Sequence, residues 1–311
     1  MKKISFIIPV YNAQRYIQRC ICSLLKQTNT NWEAIFVDDG SQDESLKILQ
    51  KNAIIDPRIR VYSVNHEGTS GARNKGLDEA EGEYIGFIDA DDAIHPELVA
   101  TAFKVFTDTN TDLFMFGFQT VSPKEKIEFP FTTSALKVPV KVIQNPLKYF
   151  LRNWRGDAHN VWDMVVKKDK IGQLRFYPCI KYEDLLFMYE LWDKINTMAL
   201  TDITLYAYIQ EPNSIMRSAY TLDKIKAIDI IIRELVKYYS NDSTILSLLR
   251  RKLFPPIVSD VLKQSKRSGN KEIIVEAQKM INSLFSEGLI GFRGFSLRKI
   301  IRLIVFRITL R

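Results

Sequence analysis

The chain has 311 residues, 46% hydrophobic and 26% charged, with a net charge of +8 and a pI near 9.2. Those values are ordinary for a globular protein with a full core, in one large domain or two, and no apolar run reaches the length of a membrane-spanning helix. Six of the basic residues (Arg293, Arg298, Lys299, Arg302, Arg307, Arg311) fall between Leu289 and Arg311, where there is no acid. The excess therefore sits in one tail rather than across a nucleic-acid-binding face.

Three cysteines, Cys20, Cys22 and Cys179, give neither a disulfide framework nor a zinc site. A reducing cytoplasm is the compartment expected. Met1-Lys2-Lys3 runs straight into Ile4-Ser5-Phe6-Ile7-Ile8, too short for the apolar region of a signal peptide.

Taken in order, Ile4 to Val10 predicts a strand that leaves through Pro9-Val10-Tyr11-Asn12. Tyr16 to Leu25 has the apolar spacing of an amphipathic helix. Trp32 to Val37 is a second strand, and Asp38-Asp39-Gly40-Ser41 is its acidic, turn-forming exit. Ser41 or Asp43 then caps a helix to about Lys51. A third strand, Arg60 to Val64, leads into Asn65-His66-Glu67-Gly68, and Thr69 to Glu79 is helical. This alternation argues for a doubly wound, mainly parallel sheet. Ligands of such sheets sit at the carboxyl ends of the strands.

At those exits, Asp39 offers an acceptor for a base N–H and Tyr11 a ring to stack on the base. A plain turn at Asp38-Asp39-Gly40 is the competing reading. Arg73, in Gly71-Ala72-Arg73-Asn74, is placed either to offset diphosphate charge or as a surface arginine. Neither GxGxxG after the first strand nor GxxxxGK[ST] anywhere is present, so dinucleotide and P-loop sites are not supported.

A fourth apolar run, Tyr84 to Ile88, ends in Asp89-Ala90-Asp91-Asp92. Three carboxylates so close repel one another unless a cation or hydrogen-bond donors neutralise them. Mg²⁺ needs only one or two of them, with phosphate oxygens and water completing its shell. A solvated turn with Asp91 or Asp92 as a helix N-cap is the alternative.

Together, Ile8-Pro9-Val10-Tyr11-Asn12, Val37-Asp38-Asp39-Gly40-Ser41, Ala72-Arg73-Asn74 with Gly76, and Asp89-Ala90-Asp91-Asp92 resemble the family 2 glycosyltransferases over roughly the first 120 residues. The resemblance implies the GT-A fold, an α/β architecture, and inverting transfer of a sugar from a nucleotide-sugar. It implies that Asp39, beside Asp38, reads the base, and that Tyr11 and Pro9 line the nucleoside pocket. Arg73 and Asp89 then lie by the phosphates. Asp89-Ala90-Asp91 looks like the family's DxD motif, with Asp91 as a direct ligand of Mn²⁺ or Mg²⁺ and Asp92 extending the set.

Beyond these motifs, residues 93 to 110 read as a helix after Pro96 and Asp112 to Gln119 as a strand. Val121 to Val142 is irregular, with three prolines, and suits acceptor-binding loops. Trp162 is placed either to stack on an acceptor sugar or in the core. Glu183-Asp184 opens an apolar helical pattern. Acids at a helix N-terminus are favourable in their own right, but the segment resembles the family's Glu-Asp motif, which makes Asp184 the catalytic base and Glu183 its helper. Arg217, in Pro212-Asn213-Ser214-Ile215-Met216-Arg217, resembles part of a loop that closes over the donor. From Thr221 to Phe254 and Ile257 to Phe285 the spacing is helical, broken at Pro255-Pro256.

The last run, Ser296 to Leu310, is a basic amphipathic helix with Leu297, Ile300, Ile301, Ile304, Val305 and Ile308 on one side. It suits an anionic membrane surface, with docking on its own domain or on a dimer partner as the rival.

The sequence thus predicts a transferase domain over 1–220 (1–120 for the nucleotide-sugar, 121–220 for the acceptor and base) and a helical region over 221–311. The expected enzyme is a metal-dependent glycosyltransferase, with a donor that is a UDP-sugar, at the inner face of a bacterial membrane. Its acceptor is a glycan or lipid-linked saccharide of surface polysaccharide or lipooligosaccharide synthesis. A sugar-phosphate nucleotidyltransferase and a non-catalytic nucleotide-sugar-binding subunit are the rival readings. The first requires a Gly-rich phosphate loop that Pro9-Val10-Tyr11-Asn12-Ala13 does not provide.

Overall fold

The computed structural model describes residues 2–123, 125, 127–129, 138–153, 160–210 and 219–308. The chain divides into two units, one built on a sheet and one on helices.

The sheet unit takes in Met1–Pro146, Asn160–Cys179 and Glu190–Ser214. It opens with β1 (Ile4–Val10), α1 (Ile17–Leu25), β2 (Trp32–Asp38), α2 (Ser45–Ile55), β3 (Ile59–Ser63), α3 (Gly68–Glu79) and β4 (Tyr84–Phe87). The runs ISFIIPV and WEAIFVD are apolar almost throughout because both sheet faces are covered, the signature of buried parallel strands. Their register sets Val10 opposite Asp38, and Asp38 opposite Ser63 on β3. β4 pairs with β1 as far as Phe87 opposite Ile7. All four strands therefore release their exit residues at one edge. α3 lies directly on β1 at Gly76, where a Cβ would come within 2.4 Å of the Ile7 side chain.

The rest of the unit departs from the sequence expectation. The stretch read as one helix from 93 begins with a two-residue strand, β5 (Ala93–Ile94), before α4 (Leu98–Thr109). In chain order β6 (Leu113–Val121), β7 (Lys141–Gln144), α5 (Pro146–Arg152), β8 (Met164–Lys167), α6 (Lys168–Ile171), α7 (Glu183–Lys194) and β9 (Thr197–Ile209) follow, with α5 after Pro146 and α7 up to Tyr189 belonging to the helical unit. The sheet order is β3-β2-β1-β4-β8-β6-β9-β5, with β7 also on β9. β8 is antiparallel to both β4 and β6, and β9 is antiparallel to β5 and β7, so the sheet is mixed beyond its parallel first half.

The other end of the sheet carries a buried ionic knot. Glu33, 4% exposed, accepts from Ser5 Oγ at 2.6 Å, the Glu81 N–H at 2.9 Å and Arg60 Nη1 at 3.0 Å, with Lys3 Nζ at 3.2 Å. Burial alone would raise its pKa, but these donors outweigh burial and hold the carboxyl below its ordinary value.

The helical unit takes in Leu147–His159, Ile180–Tyr189 and Ile215–Arg311. Its helices include α8 (Leu222–Tyr238), α9 (Ser243–Leu248), a π-helical turn at Leu249–Leu253, α10 (Phe254–Ser268), α11 (Lys271–Ser286) and α12 (Leu297–Ile308). Pro255 and Pro256 fall in the first turn of α10, where the helix runs on from the π-helical turn and their missing N–H groups interrupt the α-helical ladder. Asp242 caps α9 and Asn270 caps α11, each accepting two backbone N–H bonds. Arg233 ties α8 to α11 through Asp229, Ser283 and Glu287.

Candidate active site

The exits of β1 and β2 are laced together. The Asn12 N–H donates to Ser41 Oγ at 2.9 Å, and Asn12 Oδ1 accepts from the Gln42 N–H at 2.8 Å. The Ala13 N–H donates to Ser45 Oγ at 2.8 Å, and the Gln14 N–H to Asp43 Oδ2 at 3.0 Å. Asn12 takes a positive φ of 49°, a conformation that asparagine tolerates better than most residues. Tyr11 is left standing out from this seam, 50% exposed, its ring 4.8 Å from that of His66 at a 42° tilt. Pro9, half-buried on β1 opposite Val37, lies two residues before it.

Asp39 assembles the other wall. Its Oδ1 accepts from the Glu67 N–H at 2.6 Å and its Oδ2 from the Gly68 N–H at 3.0 Å, while His66 Nδ1 lies 3.1 Å from its carbonyl oxygen. Both carboxylate oxygens thus shape the loop that presents His66. Asp38 is arranged differently. It is 1% exposed, and its Oδ2 accepts from the Ser41 N–H at 3.2 Å, while Oδ1 is buried with no hydrogen-bond partner. A buried acceptor left in that state is costly unless a donor arrives to meet it. In the sequence His66 is one residue of a strand exit. Its position, five residues before the Gly71-Ala72-Arg73 segment and next to Asp39 only in space, gives it no motif of its own.

The acid turn closes the same edge. Arg73, 3% exposed on α3, donates from Nη2 to Asp89 Oδ1 at 3.1 Å, and its guanidinium lies 5.2 Å from the Phe176 ring centroid. The Asp92 N–H donates to the Asp89 carbonyl at 3.0 Å, and Arg19 Nη2 donates to the Asp91 carbonyl. Asp89 and Asp91 remain partly exposed. Among the described residues no three His, Cys, Asp or Glu side chains converge into a ready-made metal cage. One or two carboxylates suffice for Mg²⁺ or Mn²⁺ when a diphosphate supplies the remaining oxygens.

Two residues stand elsewhere than expected. Asp92 is 0% exposed, accepting from the Tyr206 hydroxyl at 2.7 Å and the Ile209 N–H at 2.7 Å. Burial, with Asp89 and Asp91 beside it, pushes its carboxyl up to about 9. It serves as an anchor in the core, which corrects its place in the metal set. Trp162 is 8% exposed, stacked on Tyr206 at 4.7 Å and Tyr208 at 5.7 Å, with Phe118 edge-on at 4.8 Å. Its ring is filled by core neighbours, so the acceptor role gives way to the core reading.

Glu183 and Asp184 open α7 in the helical unit, both partly exposed, after Tyr182 at a positive φ of 60°. Arg217 lies outside the described residues. A cavity of about 570 Å³ lined by His66, Glu67, Asn74, Lys75 and Cys179, among others, runs beside α3 and shares His66 with the aromatic pair.

Comparison with known proteins agrees with this geometry. The family model for Glycosyl transferase family 2 matches residues 5–167, more than half of the chain. The Streptococcus pneumoniae glycosyltransferase GlyG is 27% identical over 224 residues, 70% of this chain and 74% of its own. Among solved structures, Staphylococcus aureus TarS residues 1–349 in complex with UDP-GlcNAc matches with a TM-score of 0.64 at 18% identity, covering 98% of this chain and 90% of that one. The Pyrobaculum calidifontis mannosyltransferase PcManGT, in complex with GDP-Man and Mn²⁺, matches with a TM-score of 0.57 at 13% identity, covering 97% and 79%. The chain belongs to glycosyl transferase family 2 and is a glycosyltransferase of the GT-A fold.

Proposed function

We propose that the enzyme transfers a sugar from a UDP-sugar, with inversion, to a glycan or lipid-linked acceptor in bacterial surface polysaccharide or lipooligosaccharide synthesis. The observation that carries this reading is the edge where Tyr11 and His66 pair beside Asp39, and Arg73 meets Asp89. The rings supply a stacking surface for the base, and Asp39, each of whose carboxylate oxygens has a second lone pair, an acceptor for its N–H. Arg73 offsets diphosphate charge. The solved neighbours carrying UDP-GlcNAc, and GDP-Man with Mn²⁺, support a nucleotide-sugar donor here.

When bound, Mn²⁺ or Mg²⁺ held by Asp91, with Asp89 beside it, neutralises charge developing on the departing diphosphate. Asp184 takes the proton of the attacking acceptor hydroxyl as general base, and Glu183 orients it. By the same reading Arg217 contacts the diphosphate. Association with the inner face of the cell membrane belongs to the same proposal, since a lipid-linked acceptor resides there.

The test is a thermal-shift screen of UDP-, GDP-, CMP- and dTDP-sugars with and without Mn²⁺, since a ligand specific to the folded state raises apparent stability. A UDP-sugar shift that requires Mn²⁺, with turnover lost in Asp184→Asn while donor binding is kept, is expected. No shift with any nucleotide-sugar would remove the donor assignment. Full turnover by Asp184→Asn would remove the base.

A further inference from the structure

α12 has two apolar faces, and the helical unit uses one of them. Leu303 and Phe306 are each 1% exposed where the helix meets α10 and α11. Gln278 Nε2 donates to the Phe306 carbonyl, and Lys266 Nζ lies 5.3 Å from the Phe306 ring centroid. Docking through this face leaves Ile301, Ile304 and Val305 at 53%, 39% and 49% exposure. Their i, i+3, i+4 spacing makes one continuous stripe.

The stripe has cationic flanks. Arg298, Lys299 and Arg302 on α12 are exposed, and the stretch from Leu289 onward contains no acid. A second source of charge is brought to the base of the helix by Gly294, at φ 91°. A Cβ there would approach the Arg251 carbonyl to 2.2 Å and Pro255 to 2.9 Å, so the turn before α12 rests on the π-helical turn. Arg250 Nε donates to the Leu289 carbonyl at 3.2 Å in the same contact. Arg251 and Lys252, both exposed, therefore belong to the same end of the unit as the stripe.

We propose that the Ile301–Ile304–Val305 face of α12 is the surface by which the enzyme lies on an anionic bilayer. The inference rests on the membrane part of the proposed function and names the surface that serves it. A twofold contact would bring the same patch of two copies together, and on α12 that patch carries Arg298, Lys299 and Arg302, with no acid in the stretch from Leu289 onward to meet them. An anionic lipid surface removes that repulsion, while the apolar stripe enters the headgroup boundary between the cations. At 12 residues the helix is too short to cross, and no described helix is long and apolar enough to do so.

The experiment is co-sedimentation of the full chain with phosphatidylcholine vesicles, with and without about 30 mol% phosphatidylglycerol, a typical anionic surface. Two variants are compared, Ile301→Ser/Ile304→Ser/Val305→Ser and Arg298→Gln/Lys299→Gln/Arg302→Gln. The wild type should bind only the anionic vesicles. Partitioning should fall about tenfold in the first variant and about a hundredfold in the second, with unfolding midpoints and donor-induced shifts unchanged. Wild-type binding that both variants retain would overturn this face while leaving the membrane reading intact. Failure of the wild type to bind either vesicle would overturn both. A wild-type dimer that the serine variant dissociates would assign the face to a second copy and overturn the proposal.

Discussion

Asn74 holds Phe176 by both of its backbone groups: its Oδ1 accepts the Phe176 N–H at 2.8 Å and its Nδ2 donates to the Phe176 carbonyl at 2.9 Å. The Phe176 ring, 1% exposed, faces Arg73 on one side and meets Phe87 edge-on at 5.4 Å. One asparagine therefore fixes the ring against which the diphosphate-facing arginine is set. Asn74→Ala should lose about 1–3 kcal/mol of stability, the range for stranding such groups, and raise the KM for the donor more than it lowers kcat. Asn74→Asp, which keeps the acceptor only, should fall between. Chemical denaturation and steady-state kinetics check both, and wild-type values in Asn74→Ala would refute the tether.

The two acids of the β2 exit should separate by experiment. Asp39→Asn places an amide donor against the N–H of Glu67 or Gly68, so it should cost about 1–3 kcal/mol of folding stability and loosen His66. Asp38→Asn keeps an acceptor for Ser41 and should leave stability nearly unchanged. Nucleotide affinity should drop at least about tenfold in Asp39→Asn, equal to about 1.4 kcal/mol, and stay near wild type in Asp38→Asn. Isothermal titration of the nucleoside diphosphate, beside thermal melts, distinguishes the pair. Unchanged affinity in Asp39→Asn would remove base reading from Asp39.

Asp91 and Asp92 make a second such pair. Asp91→Ala should abolish metal-dependent nucleotide binding with little change in stability, because its side chain is partly exposed. Asp92→Ala leaves the Tyr206 hydroxyl and the Ile209 N–H in the core without an acceptor and opens a void. It should cost about 2–4 kcal/mol. A Mn²⁺ titration of both variants, followed by melting with and without UDP, checks the division. Equal metal affinity in Asp91→Ala and wild type would sink the ligand assignment.

Stability should also carry a signature of Glu33. Its carboxyl is held below the ordinary value, so its bonds contribute fully above the unfolded-state pKa of about 4.3 and are lost as pH falls through the lower folded-state pKa. Glu33→Ala removes the shared acceptor of Ser5 and of the Glu81 N–H, while Lys3 and Arg60 keep Glu81, and should cost about 1–3 kcal/mol near neutrality. The gap from wild type should narrow at pH values below about 4. Urea denaturation across that range measures it, and a pH-independent gap would contradict the arrangement.

The first four strands and their exits were legible because parallel strands buried on both faces are written as uninterrupted apolar runs, and each run stops at a polar cluster. β5 could not be read from two residues, Ala93 and Ile94, whose only strand-like property is their pairing with Ala207 and Tyr206. β9 does not read as a strand in the sequence because Thr201, Asp202 and Thr204 interrupt its pattern, and its register on β6 shifts near Gly117. In sequence Asp91 and Asp92 are the same residue twice. Only the strand that meets Asp92 distinguishes them. The role of Asp39 in holding Glu67 and Gly68, and the unused oxygen of Asp38, depend on loop geometry that neighbouring letters do not encode.

Tyr206 touches the acid turn at both ends, accepting the Asp89 N–H at 3.1 Å and donating to Asp92 at 2.7 Å. These bonds bridge 117 and 114 residues of chain. Loop closure over that distance has to precede them, and contacts of such long range form late in folding. A nascent chain ending before β9 therefore carries every residue of the Asp89–Asp92 turn but lacks the means to fix its shape. Competence at this edge arrives only as Tyr206 takes its place in the sheet, well after the first βαβ units have been made.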